Sequence, residues 1–155
     1  MVPEHNIFIR RVVVQDIEQW LSMRLSLWPD TDEHLHRKEI AMMLANSDRN
    51  CVFVCEDLQG VLIGFSEVSL REWAEGCLSS PVGYLEGWFV KKTKRKKGAG
   101  AKLLSAAEDW ARSHGCSEMA SDTNLGNTDS EAAHRKLGYQ VTGRVITFKK
   151  DLGPC

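Results

Sequence analysis

Leu85-Glu86-Gly87-Trp88-Phe89-Val90-Lys91-Lys92-Thr93-Lys94-Arg95-Lys96-Lys97-Gly98-Ala99-Gly100 runs from an apolar strand, through a basic connection, into a glycine turn. Leu85, Trp88, Phe89 and Val90 suit a strand covered on both faces. After Gly98 and Gly100, Leu103, Leu104, Ala107, Trp110 and Ala111 recur at helical spacing. A glycine turn at a helix N-terminus leaves backbone N–H groups pointing outward, and the helix dipole adds partial positive charge there. That makes an anion site, with Arg95-Lys96-Lys97-Gly98-Ala99-Gly100 (R-x-x-G-x-G) at its centre. The same residues can also do less: glycines relieve sterics at a turn, and a charge run can be a solvated face. A P-loop requires G-x-x-x-x-G-K-[ST], which Gly98 to Lys102 does not supply, and a dinucleotide fingerprint requires a third glycine where Leu103 stands.

The chain has 155 residues and a formal net charge of −1. That length fits one domain, spanning 1–155. The segment Lys91–Lys97 holds six positive charges, and without it 14 basic residues face 21 acidic ones. An anion-binding segment is thus set in an acidic remainder, which suits a polyanionic cofactor together with a cationic second substrate. A nucleic-acid binder would spread Lys and Arg over a wider face with aromatics among them. No apolar run approaches the length of a membrane span. The opening MVPEHNIFIRR has no basic segment followed by an apolar one, so a cytoplasmic location is expected. The cysteines (Cys51, Cys55, Cys77, Cys116 and Cys155) are odd in number and irregularly spaced, which argues for reduced packing residues. Cys51 and Cys55 would share a strand face, but no second close pair completes a zinc site, and no metal is expected.

Periodicity and turn signals predict strands at Asn6–Val13, Cys51–Glu56, Val61–Leu70, Val82–Val90, Cys116–Ser121, Tyr139–Val141 and Arg144–Lys149. They predict helices at Asp16–Trp28, Glu33–Ala45, Gly98–His114 and Thr128–Leu137, with Thr31 or Asp32 as the N-cap of the second. The order β-α-α-β-β-β-α-β-α-β-β describes a mixed α/β sheet with helices on both faces.

Two features suggest chemistry. Glu86 stands between Leu85 and Gly87 in a strand expected to be buried, where a carboxylate needs a partner or a purpose. Asp122 follows Met119-Ala120-Ser121 and should face the same opening, although Asp is also common as a cap or turn residue. Together they would bind an ammonium and relay its proton through water. Direct contact has a cost, because a neighbouring carboxylate raises an amine's pKa. Trp28, at a helix end beside Pro29 and several acids, and Trp73, in the loop before the central strand, offer aromatic faces to a cationic ring. Trp20 and Trp110 fall in helical register and read as core.

The turn R-x-x-G-x-G after an apolar strand resembles the acyl-CoA-binding motif of the GNAT superfamily of N-acyltransferases, and the element order is similar from end to end. The resemblance implies a GNAT-type mixed, mainly antiparallel sheet, with its central strands splayed for acetyl-CoA. It places the backbone of Phe89 and Val90 against the pantetheine arm, with Arg95, Lys96, Lys97, Gly98, Ala99 and Gly100 at the pyrophosphate. Asn127 opens a second motif, N-x(5)-A-H-R-K-L-G-Y, and by resemblance bonds the pantetheine. Seven residues further on the family often has a tyrosine as general acid; here it is His134, whose ordinary pKa near 6.5 leaves an imidazole mostly neutral at pH 7. Tyr139 is the other candidate. The stretches Leu27-Trp28-Pro29, Gly76 to Val82, Leu85 to Val90 and Met119 to Thr123 look like one branch of the bacterial aminoglycoside 6′-N-acetyltransferases. That branch implies acceptor positions for Trp28, Trp73, Glu86 and Asp122, and a homodimer joined through C-terminal strands. Acetylation of another small amine or a protein N-terminus, and acyl-CoA binding without catalysis, are the alternatives.

Overall fold

The computed structural model describes residues 6–155; the start of the N-terminal segment in which no leader is expected, residues 1–5, lies outside it. The elements are β1 (Phe8–Arg11), α1 (Ile17–Leu27), α2 (Glu33–Ala45), β2 (Asn50–Glu56), β3 (Leu62–Arg71), β4 (Val82–Val90), α3 (Ala99–Ser113), β5 (Met119–Ser121) and α4 (Thr128–Lys136), with short 3-10 turns at Val14–Asp16 and Lys92–Lys94. The chain divides into two compact units, Met1–Asp122 and Thr123–Cys155.

In the first unit the five strands form one sheet in the order β1-β2-β3-β4-β5. Neighbours are antiparallel from β1 to β4, and β5 joins β4 in parallel. One face carries α1 and α2, whose Trp20, Leu21, Met23 and Ile40 pack with Val52, Val54, Leu62 and Phe65. The other carries α3, whose Ala99 and Leu103 pack with Cys55, Ile63 and Val90. Burial of each such Leu, Val or Phe side chain contributes about 1.5–3 kcal/mol relative to exposure. Of the two N-cap candidates for α2, Asp32 is the one used: its carboxylate accepts from the Leu35 N–H at 2.9 Å.

Asp16 fastens the start of α1 to the sheet edge. It accepts from Arg10 Nη1 at 2.7 Å, Arg10 Nη2 at 2.9 Å and the Val13 N–H at 2.8 Å. Arg10 continues to Glu56 on β2 at 2.8 Å. The Arg10 guanidinium holds the Asp16 carboxyl below the usual carboxylate range, against the opposing effect of burial.

The second unit departs from expectation. Helix α4 forms, but residues 139–155 contain neither helix nor strand, so the expected strands Tyr139–Val141 and Arg144–Lys149 are not made. A strand exists only through a ladder partner, and here Ile146 is 76 % and Phe148 91 % exposed. Within the unit, Arg144 reaches Glu131 of α4 at 3.1 Å.

Two measurements test what holds the first unit together. A depressed carboxyl pKa contributes stability above the unfolded value of about 3.9, and that stability is lost as pH falls through the folded value. Asp16→Asn should therefore cost about 1–3 kcal/mol at neutral pH, with the deficit shrinking below about pH 4 in urea titrations. A deficit that is constant into strong acid would remove the ion pair as the cause. Separately, a Cβ on Gly87 would lie 2.6 Å from Cη2 of Trp28, so Gly87→Ala should destabilise by about 1–3 kcal/mol. Wild-type stability there would mean that the indole yields freely.

Candidate active site

Strand β4 positions the site. It pairs with β3 along its whole length, from Val82 opposite Arg71 to Val90 opposite Gly64. Its pairing with β5 is much shorter: Gly83 with Met119, Tyr84 with Ala120 and Leu85 with Ser121. Beyond Leu85 the two strands part, and the β4 edge from Glu86 to Val90 has no ladder partner on the β5 side. Backbone donors and acceptors along such an edge accept an extended ligand as they would a strand.

That edge leads into the basic connection. Arg95 Nε donates to the Val90 carbonyl at 2.8 Å, tying the loop to the strand end. Lys96 (φ 64°) and Gly98 (φ 86°) are both left-handed, a conformation that is costly for lysine and open to glycine. Gly98 is the N-cap of α3 and supplies no side-chain cap; a Cβ built on it would meet nothing within 4 Å. The first N–H groups of α3 stand at the positive end of the helix dipole, with Lys96 and Lys97 exposed beside them.

A β-bulge corrects the expectation for Glu86. Glu67 pairs with Gly87 and Val68 with Leu85, so Glu86 is an extra residue on β4. The bulge turns its side chain out to 33 % exposure, where it is not a buried charge. It accepts from Ser69 Oγ at 2.6 Å, Arg71 Nε at 2.9 Å and Arg71 Nη2 at 2.7 Å. The buried carboxylate belongs to Glu67, one strand away and 3 % exposed.

Glu67 is part of a polar cluster beneath α1 and α2. It accepts from Trp20 Nε1 at 3.0 Å and from the Arg24 guanidinium. Arg24 also bonds Glu39 and donates from Nε to His36 Nδ1 at 3.1 Å. Since Nδ1 accepts, the His36 proton sits on Nε2, which donates to the Trp28 carbonyl at 3.2 Å. The indole of Trp28 is stacked on His36 with centroids 6.2 Å apart, and the Arg24 guanidinium carbon is 4.7 Å from its ring centre. Burial pushes the Glu67 carboxyl up, against the pull of Arg24. Sequence reasoning passed over this cluster, though a signal existed: Trp20, Arg24 and Trp28 stand four apart on one helix, a charge inside an apolar stripe.

Trp28, Glu39, Glu67, Ser69 and Glu86 line one open cleft of about 460 Å³ between α1, α2 and the sheet. Asp122 comes next to this group through Tyr84, whose hydroxyl donates to it. Burial, then that carboxylate, raise the Tyr84 phenol above its ordinary pKa, so it remains a donor. The Arg71 guanidinium carbon lies 3.4 Å from the centre of the Tyr84 ring, linking Glu86 to Tyr84 and Asp122. Trp73 is in the segment between β3 and β4, 68 % exposed and outside the cleft lining. Phe89 tilts against Phe65 with centroids 6.0 Å apart, and Val90 packs with Ala99 and Leu103 of α3, so both side chains pack into the unit.

In the second unit, Asn127 caps α4, its Oδ1 accepting from the Ser130 N–H at 3.1 Å. His134 Nδ1 donates to the Ser130 carbonyl at 2.7 Å, and its ring meets Tyr139 edge-on at 5.7 Å. The cysteines form no disulfide, and among the described residues no His, Cys, Asp and Glu group suits a metal ion.

The geometry agrees with comparisons to known proteins. The family model "Acetyltransferase (GNAT) family" matches residues 14–139. An aminoglycoside N(6′)-acetyltransferase type 1 of Serratia marcescens is 40 % identical over 139 residues, covering 89 % of this chain and 94 % of that protein. One of Klebsiella aerogenes is 42 % identical over 146 residues, covering 93 % and 96 %. Among solved structures, AAC(6′)-Iy in complex with the bisubstrate analogue CoA-S-monomethyl-acetylneamine aligns with a TM-score of 0.88 at 37 % identity, covering 94 % of this chain and 99 % of that one. A glucosamine-6-phosphate N-acetyltransferase of Arabidopsis thaliana, 17 % identical with a TM-score of 0.69, shares the fold. With a family model over most of its length and relatives near 40 % identity, this chain belongs to the acetyltransferase (GNAT) family.

Proposed function

We propose that the protein transfers the acetyl group of acetyl-CoA to the 6′-amine of an aminoglycoside, neutralising a cation of the drug and so conferring resistance. The observation that carries this reading is the parting of β4 from β5 beyond Leu85, with a glycine-opened helix N-terminus at one end and Glu86 and Asp122 at the other. The relatives' names supply the acceptor. The family match crosses both compact units, which supports treating 1–155 as one functional domain.

Acetyl-CoA, when bound, supplies a thioester acyl donor. The α3 N-terminus with Arg95, Lys96, Lys97, Gly98, Ala99 and Gly100 would hold its phosphates, and the backbone of Phe89 and Val90 its extended arm; Asn127 is proposed as a further contact. Glu86 and Asp122 would hold the acceptor's ammonium, with Trp28 and Trp73 offering aromatic faces to its rings. In the reaction the amine nitrogen bonds to the acetyl carbon and the carbon–sulfur bond breaks. One proton leaves the nitrogen and one reaches the sulfur. Glu86 and Asp122, through water, are the proposed acceptors of the first. His134 is the proposed donor of the second: its Nδ1 proton is committed to Ser130, so the imidazolium gives up the one on Nε2. Five unpaired thiols fit a reducing, cytoplasmic setting.

Coenzyme A release should be measured with kanamycin, tobramycin, an analogue bearing a 6′-hydroxyl, spermidine and a peptide amine. Turnover is expected only with drugs carrying the 6′-amine. Glu86→Gln should raise the acceptor KM about tenfold, and His134→Ala should lower kcat by about a hundredfold. Preference for spermidine or the peptide would discard the resistance reading, and acetyl-CoA binding without turnover on any amine would favour a binding module. Wild-type constants in either variant would remove that residue from the mechanism.

A homodimer is proposed from residues 139–155. Their exposed Val145, Ile146, Phe148 and Leu152 form an apolar stretch that a second copy would cover by strand pairing. Sedimentation equilibrium should give a dimer, and Phe148→Asp a monomer. A wild-type monomer at micromolar concentration would end the proposal.

A further inference from the structure

Glu86 already holds a cation. Arg71 donates to both of its oxygens, at 2.9 and 2.7 Å, and its guanidinium carbon is 3.4 Å from the centre of the Tyr84 ring, whose hydroxyl donates to Asp122. The charges of Glu86 and Asp122 both stabilise the Arg71 cation, Glu86 more strongly. The pair is half exposed, at 43 % for Arg71 and 33 % for Glu86, and ion pairs so placed contribute about 0–1 kcal/mol to folding. Its place at the mouth of the cleft therefore calls for a reason other than stability.

The surrounding charges are accounted for separately. On the α1 and α2 side, Arg24 answers Glu67 and Glu39, and His36 accepts from Arg24. Past the end of β3, Arg49 answers Glu72 at 3.2 Å. Among the described residues, Arg71 is the cation that pairs with Glu86 and lies over the ring of Tyr84, the donor to Asp122. Among the described residues, two carboxylates then share one guanidinium here, which leaves net negative charge for a substrate ammonium to meet.

The chemistry sets two opposed demands on that charge. Binding favours the ammonium, while attack on a thioester requires the neutral amine. A bare carboxylate helps the first and hinders the second, because it raises the amine's pKa. A fixed cation on that carboxylate acts in the opposite sense on both. We propose that Arg71 acts through Glu86 as a charge-tuning residue, loosening the hold on the acceptor's ammonium and lowering the pKa of the bound amine. The proposal rests on the reading of Glu86 as an acceptor ligand.

The test is steady-state kinetics of the full chain with acetyl-CoA and kanamycin from about pH 6 to about pH 9.5. Arg71→Met should lower the acceptor KM about twofold to fivefold, as expected for removing one exposed opposing charge. It should move the rising limb of kcat, which reports groups in the enzyme–substrate complex, up by about half a unit or more. The KM for acetyl-CoA should stay put. Arg71→Lys should restore both the acceptor KM and the limb, and in a Glu86→Gln background Arg71→Met should have no effect. A raised acceptor KM, an unmoved limb or a lysine that fails to restore would overturn the proposal and leave Arg71 as a geometric prop. Glu86→Gln with an unchanged acceptor KM would instead overturn the underlying reading of Glu86, an outcome separable from the Arg71 arms.

Discussion

The Arg24 guanidinium, buried beneath two helices, is the interaction on which the acceptor side of the molecule depends. Taking such a charge out of water costs several kcal/mol unless its donors are matched. Here Nη1 goes to Glu67 of β3, Nη2 to Glu39 of α2 and Nε to His36 of α2, so one side chain on α1 joins three elements. The indole of Trp28 is then held from two sides, by the guanidinium over its face and by the His36 ring. Its far edge meets β4 at Gly87, a position where a side chain would collide. Behind it the indole packs on the apolar core of α1, α2 and the sheet, with Phe65 6.3 Å away between ring centroids.

Strand β4 meets two demands that a regular strand cannot. It must pair with β3 to stay in the sheet, and it must leave its other edge open. The β5 ladder stops after Leu85, and the next residue, Glu86, is the bulge. A bulge raises local twist and re-aims a side chain, so the irregularity that frees the edge also turns Glu86 into the cleft. Ser121 Oγ donates to the Leu85 carbonyl at 3.3 Å, just where the strands part.

The strand, the glycine turn and the helix after it were legible because their signal is local. Gly98 after a basic run takes a left-handed turn that few other residues allow, and α3 starts directly after it. The acceptor half depends on register, which periodicity does not report. Glu86 looked buried because its strand was expected to be covered on both faces, and a bulge turns it out instead. Glu67 looked like an ordinary strand residue because its partners, Trp20 and Arg24, come from a helix more than 40 positions away. The last segment fails for a third reason. Val145, Ile146 and Phe148 have strand composition, but composition does not supply a partner strand, and within this chain they stay exposed.

Net charge conceals how the electrostatics is divided. The chain carries a formal charge of only −1, yet β4 has an acidic group at Glu86 and runs directly into a connection with six positive charges. Between Glu86 and Val90 the strand advances about 13 Å. That exceeds the Debye length of about 8 Å at physiological salt, so exposed charges at the two ends scarcely cancel. A polyanion and a polycation can then each meet its own field while sharing one strand. Were the basic run nearer the bulge, it would answer Glu86 and Asp122 itself; at this distance that role falls to the single, closely placed Arg71.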